Sequence, residues 1–90
     1  IFVLRVKGNS MIEDHIQDGD YVIIERRNVA ENGETVVALI DNDQATLKRF
    51  YREKGRVRLQ PAHPDMKPII VREGDFAIQG VVIGVLRKFG

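Results

Sequence analysis

The chain has 90 residues, 43% hydrophobic and 30% charged, and its 14 basic and 13 acidic side chains leave a formal net charge of +1. A chain of that length holds one domain with a modest core, burying roughly 60% of its unfolded surface, and the composition is that of a globule rather than a disordered segment. The absence of cysteine excludes disulfides, a thiolate nucleophile and thiolate metal ligands, and no basic block beyond the pairs Arg26-Arg27 and Lys48-Arg49 points to nucleic-acid binding.

Short Val- and Ile-rich runs alternate with turn signals at Gln17-Asp18-Gly19-Asp20, Glu31-Asn32-Gly33-Glu34, Asp41-Asn42-Asp43, Lys54-Gly55 and Glu73-Gly74-Asp75, which is β punctuation. The first strand is expected over Phe2 to Val6. Behind it, Lys7-Gly8-Asn9-Ser10-Met11 leads into the one segment with helical spacing, Asn9 to Ile16, where Met11, Ile12 and Ile16 fall near one face and Asn9 or Ser10 would cap a turn or two. Ser10 is thereby placed on an exposed bend. Glycine before it permits a tight turn, and outward-pointing amides at a helix start suit a developing oxyanion, so the backbone N–H groups of Asn9 and Ser10 are the candidate donors. A plain helix cap explains the same serine.

Further strands are expected over Tyr21 to Glu25, Glu34 to Ile40 and Gln44 to Tyr51. In the last of these, alternation puts Lys48 on the face of Thr46 and Phe50, with Arg49 sharing the other face with Leu47 and Tyr51. A lysine flanked by a hydroxyl and a ring is open to desolvation, which lowers its pKa and lets the neutral amine deprotonate a serine. The ordinary alternative is a stem lying over Phe50 with its charge in water. His15, beside Glu13-Asp14, and His63, between Ala62 and Pro64, read as surface residues rather than rival bases. Glu13, Asp14, Asp18 and Asp20 lie close together, but their spacing is not that of a twelve-residue EF-hand loop, and turn and capping roles account for them. No metal site and no cofactor are expected.

The strand Arg56 to Pro61 has the clearest two-residue period, Val57 and Leu59 against Arg56, Arg58 and Gln60, so one of its faces is wet. Ile69 to Val71 and Phe76 to Arg87 complete the set. The long apolar C-terminal run reads either as a central buried strand or as an edge that pairs with a second chain. The fold class is therefore all-β, mostly antiparallel, with small twisted sheets and one short helical turn near Ser10, in one domain over 1–90. Apolar runs fall far short of the ~18 residues of a membrane span and no signal-peptide pattern opens the chain, so a cytoplasmic protein without a membrane partner is expected. Because the chain opens on Ile1 rather than Met, a preceding N-terminal part is expected as well.

Gly8-Asn9-Ser10-Met11, Asp18-Gly19-Asp20, Thr46-Leu47-Lys48-Arg49 and Gly80-Val81-Val82-Ile83-Gly84-Val85 together resemble the LexA and phage-repressor peptidases. The likeness runs from Leu4 to Phe89; its Ser-Met and Lys-Arg pieces extend to UmuD-type proteins and, more distantly, type I signal peptidases. It implies a β-clip-like domain that holds a cleavage loop of its own chain in the active site and cuts one bond, so that a transcriptional repressor inactivates itself during DNA damage. Ser10 matches the family nucleophile, Lys48 the base, and the amides of Asn9 and Ser10 the oxyanion hole. The implied partners are a second copy in a homodimer, a RecA filament on single-stranded DNA as coprotease, and operator DNA through a winged-helix domain. The family's Ala-Gly or Cys-Gly cleavage pair is absent from the 90 residues. Scissile bond and DNA reader are thus expected before Ile1, activity in trans and rising with pH, and Lys48 better hydrated in a cleft without its loop. One alternative is a different enzyme of the same chemistry, a signal-peptidase-like protease; the other, from another class, is a dimerisation module that makes no use of the dyad.

Overall fold

The computed structural model of the chain describes residues 1–41 and 44–88. Seven strands form where the Val- and Ile-rich runs stand: β1 Phe2–Arg5, β2 Tyr21–Glu25, β3 Thr35–Ile40, β4 Gln44–Glu53, β5 Arg56–Gln60, β6 Ile69–Val71 and β7 Phe76–Leu86. All pairings are antiparallel, in the order β1-β2-β7-β3-β4-β5-β6, so the all-β class expected from the sequence holds. The turn signal at Asp41-Asn42-Asp43 lies partly outside the described residues, as does Phe89. The two-residue period of β5 is realised as read: Val57 and Leu59 are buried while Arg56 is exposed and Arg58 lies over the Tyr51 ring at 4.7 Å.

Both faces of β3 are buried. Val36 and Ala38 join Phe50, Val57, Leu59, Val71, Ile78 and Val81 in one apolar cluster, and Val37 turns the other way to join Met11, Ile16, Val22 and Ile24. Successive side chains of a strand point to opposite faces, so a run such as Val36-Val37-Ala38 belongs in the middle of a sheet covered on both sides. The second cluster lies under the Ser10 segment, which reaches it through Met11.

The C-terminal run is neither a plain edge nor a plain central strand. Phe76 to Val81 pairs with β3, whereas Val81 to Leu86 pairs with β2, so β7 hands the chain from one ladder to the other. Register slips by one residue in each pairing, next to Gly80 and Gly84, as expected of bulges that bend a strand. Gly80 is required by close approach: a Cβ there would press into the Ile24 side chain and lie 2.7 Å from the Glu25 carbonyl oxygen.

The one short helical turn expected within Asn9 to Ile16 is present as a single 3-10 turn, Ile12–Asp14; its cap differs from the expected one, the N-cap being Met11 with no side-chain cap bond. His15 ends it at once in the left-handed region (φ 63°). The two side chains expected as caps are committed elsewhere, Asn9 to the Asp18 amide and Ser10 to Lys48.

Candidate active site

Lys48 faces Val36 across the β3–β4 ladder, in the interior of the sheet, and is only 5% exposed. Its Nζ donates to three oxygens: Thr46 Oγ1 at 2.7 Å, Leu47 O at 3.1 Å and Ser10 Oγ at 3.1 Å. Thr46 is the hydroxyl neighbour that strand alternation predicts. None of the three acceptors is a carboxylate, so among the described residues no opposite charge offsets the loss of water, and burial pushes the Lys48 pKa below the ordinary lysine value of 10.5. The lysine's own strand and the Ser10 segment bury it.

Ser10 is half-buried at the end of a bend that starts at Gly8 (φ 83°). The bend is tied down on both sides. Ala62 N donates to Ser10 O at 2.8 Å, fixing the residue from the segment behind β5. On the other side the 17–20 turn runs beside residues 6–9, with Val6 N donating to Asp20 O and Gly19 N to Val6 O, both at 2.8 Å. Asp18 Oδ1 accepts from Gly8 N at 2.6 Å and Asp18 N donates to Asn9 Oδ1 at 3.0 Å. Among the described residues, the amides of Asn9 and Ser10 meet no acceptor, which leaves two adjacent donors on the bend that carries the hydroxyl. With a 3-10 turn of three residues beyond them, their electrostatic effect comes from the N–H groups themselves and not from a helix macrodipole.

These groups line a cleft of about 510 Å³ whose walls include Leu4, Val6, Val22, Val37, Leu47 and Met66, with Arg5 and Lys7 at its side. β1 borders this cleft and is an edge strand of the sheet. A serine hydroxyl within hydrogen-bond reach of a desolvated amine, beside unpaired amides in an apolar cleft, is an arrangement capable of acyl transfer.

The remaining titratable candidates lie elsewhere. His63 Nδ1 accepts from Asp65 N at 3.1 Å, and His15 is exposed, its carbonyl accepting from Arg87 Nη2. Asp14 pairs with Arg49 at 2.6 Å. Asp20, 3% exposed, closes its turn by accepting from Gln17 N and receives Arg87 in a two-bond fork, Nε and Nη2 each at 2.9 Å. That guanidinium holds the Asp20 carboxyl at about 2, against the usual 3.8. Asp18 and Asp20 thus have the turn roles read from the sequence, whereas Asp14 serves in an ion pair. Sequence reasoning missed Arg87, 67 positions from Asp20, and Met66 in the cleft wall, for which no local pattern gives a signal.

A family model described as Peptidase S24-like matches residues 1–83. The chain is 57% identical over 89 residues to the LexA repressor of Koribacter versatilis, covering 99% of this chain and 42% of that protein. It is 55% identical over 89 residues to the LexA repressor of Syntrophotalea carbinolica, covering 98% of this chain and 44% of the relative. For the LexA repressor of Bacillus subtilis the identity is 51% over 87 residues, with coverages of 97% and 42%. The chain therefore spans about two fifths of the length of the curated relatives it matches.

Proposed function

The chain belongs to the S24-like peptidase family, and from that membership we propose that it is the Ser-Lys catalytic domain of a LexA-type repressor, cutting an Ala-Gly bond presented in the cleft beside Ser10. The observation that carries this reading is the 3.1 Å contact between Ser10 Oγ and the buried Lys48 Nζ. Neutral Lys48 accepts the Ser10 proton as Oγ attacks the scissile carbonyl; the oxyanion turns towards the amides of Asn9 and Ser10. Collapse breaks the C–N bond, Lys48 returns the proton to the leaving amine, and an ester on Ser10 remains. Water, deprotonated by the same amine, hydrolyses that ester and frees Ser10. Thr46 Oγ1 and Leu47 O hold the ammonium between these steps. An extended peptide would lie along β1, adding a strand to that edge, with its small residue against the apolar wall.

In the intact repressor the cleaved loop comes from the same polypeptide, a winged-helix domain outside these residues reads operator DNA, and a RecA filament on single-stranded DNA stabilises the loop-closed state, a population shift rather than added chemistry. Homodimerisation would use the C-terminal half of β7, where Ile83, Val85 and Leu86 are exposed on a stretch whose β3-side edge is unpaired among the described residues. The dyad is tested by mixing the chain, Ser10→Ala and Lys48→Ala with a peptide that carries an Ala-Gly bond. Cleavage by the parent alone is expected; equal cleavage by all three would sink the assignment.

A further inference from the structure

Four hydrogen bonds hold the bend that carries Ser10 against the 17–20 turn, and the two nearest the hydroxyl both involve Asp18. Its carboxylate takes the Gly8 amide at 2.6 Å, and its own amide is taken by the Asn9 side chain at 3.0 Å. Resting on the dyad reading above, we propose that Asp18 is a positioning residue for the oxyanion site: with Asn9 Oδ1 it forms a two-bond clasp that fixes the peptide planes from Gly8 to Ser10, leaving the Asn9 and Ser10 amides aimed into the cleft.

The geometry supports this in three ways. First, of three successive amides on the bend, the clasp occupies the outermost, Gly8, and the next two meet no acceptor among the described residues. Backbone donors serve a transition state only if they are already oriented, because reorienting them during the reaction forfeits the gain. Second, Gly8 sits at φ 83°, a region where glycine is as free to leave as to stay, so a partner for its N–H is what selects the conformer. Third, the turn that bears Asp18 is itself tied down: Asp20 closes it through Gln17 N and is gripped by Arg87 beyond the end of β7. Gly8, Asn9 and Asp18 are all exposed, so the clasp contributes little to global stability. Its effect falls on the local geometry of the bend.

The test compares Asp18→Ala and Asp18→Asn with the parent in cleavage of an Ala-Gly peptide in trans, measuring kcat, KM, the pH profile and the thermal midpoint. Asp18→Ala is expected to lower kcat by about tenfold to a hundredfold, within the range for a misplaced catalytic geometry or a lost oxyanion donor. KM, the pH midpoint set by Lys48 and the thermal midpoint should stay near the parent values. Asp18→Asn keeps an acceptor for Gly8 and should restore most of the rate. Asn9→Ala should lower kcat as well, and the double variant should lose little beyond the larger single loss, since both act on one bend. Unchanged kcat in Asp18→Ala, or a loss that tracks the thermal midpoint and is not rescued by Asn, would overturn the clasp. Failure of the dyad reading is distinct: cleavage would then survive in Ser10→Ala.

Discussion

Replacing Lys48 by methionine should stabilise the domain. The side chain is 5% exposed, and among the described residues its ammonium faces three neutral oxygens and no carboxylate, so the folded state carries a charge whose hydration is replaced without a counter-charge. Methionine is unbranched and of similar reach, so the space stays filled. Thr46 and Ser10 border the cleft and can turn their hydroxyls to water, leaving Leu47 O as the one strand carbonyl that loses a partner. The balance favours the variant by about 1 kcal/mol, within the range typical of single stabilising substitutions. For a domain this small that corresponds to a rise in Tm of roughly 4–8 °C. The gain also depends on pH. Because burial lowers the folded-state pKa of Lys48 below 10.5, the unfolded chain binds more protons in that window, and parent stability rises with pH as the folded group discharges. The gap between variant and parent is therefore full at neutral and acid pH and narrows above the folded pKa. Urea unfolding at matched m-values across alkaline pH measures it. A Lys48→Met protein that is less stable than the parent at neutral pH, or a gap that widens with pH, would refute the reasoning.

Gly80→Ala should cost about 1–3 kcal/mol by overpacking, since the new methyl meets Ile24 and the Glu25 carbonyl, and chemical denaturation reads the loss. Arg87→Ala should remove an acid-sensitive part of stability. The Asp20 carboxyl is held at about 2 in the fold, so the pair stabilises above the unfolded value of 3.8 and this contribution is lost as pH falls towards 2; the variant should show a flatter stability slope in that window. Val85→Lys, on the exposed C-terminal half of β7, should shift sedimentation towards monomer while leaving peptide cleavage in trans intact; a parent that is monomeric at high micromolar concentration would remove the dimer from the proposal.

The strands were legible because β-branched runs and turn residues are local signals: each of the seven fell within a few residues of its expected range, and the face of β5 came out as its period dictates. The neighbourhood of Lys48 was half legible for the same reason, since Thr46 lies two residues away on one face. What depends on chain reversal was not. Ser10 and Lys48 are 38 residues apart, and only their resemblance to a family joined them before the fold did. The division of β7 between two ladders follows from bulges beside Gly80 and Gly84, whose close approach to β2 no single-strand pattern encodes. The short turn near Ser10 was legible but its cap was not: Asn9 and Ser10 have good capping chemistry, yet both side chains find partners from distant segments. The burial of Lys48 by its own strand and the Ser10 segment likewise depends on chain reversal, which strand alternation alone does not encode.

The most direct measurement is the titration of the Lys48 side chain by heteronuclear NMR in the intact fold. A base poised by burial must titrate below the ordinary lysine value of 10.5, and the same midpoint must govern cleavage of an Ala-Gly peptide. A Lys48 that titrates at or above 10.5 would contradict its role as the base for Ser10.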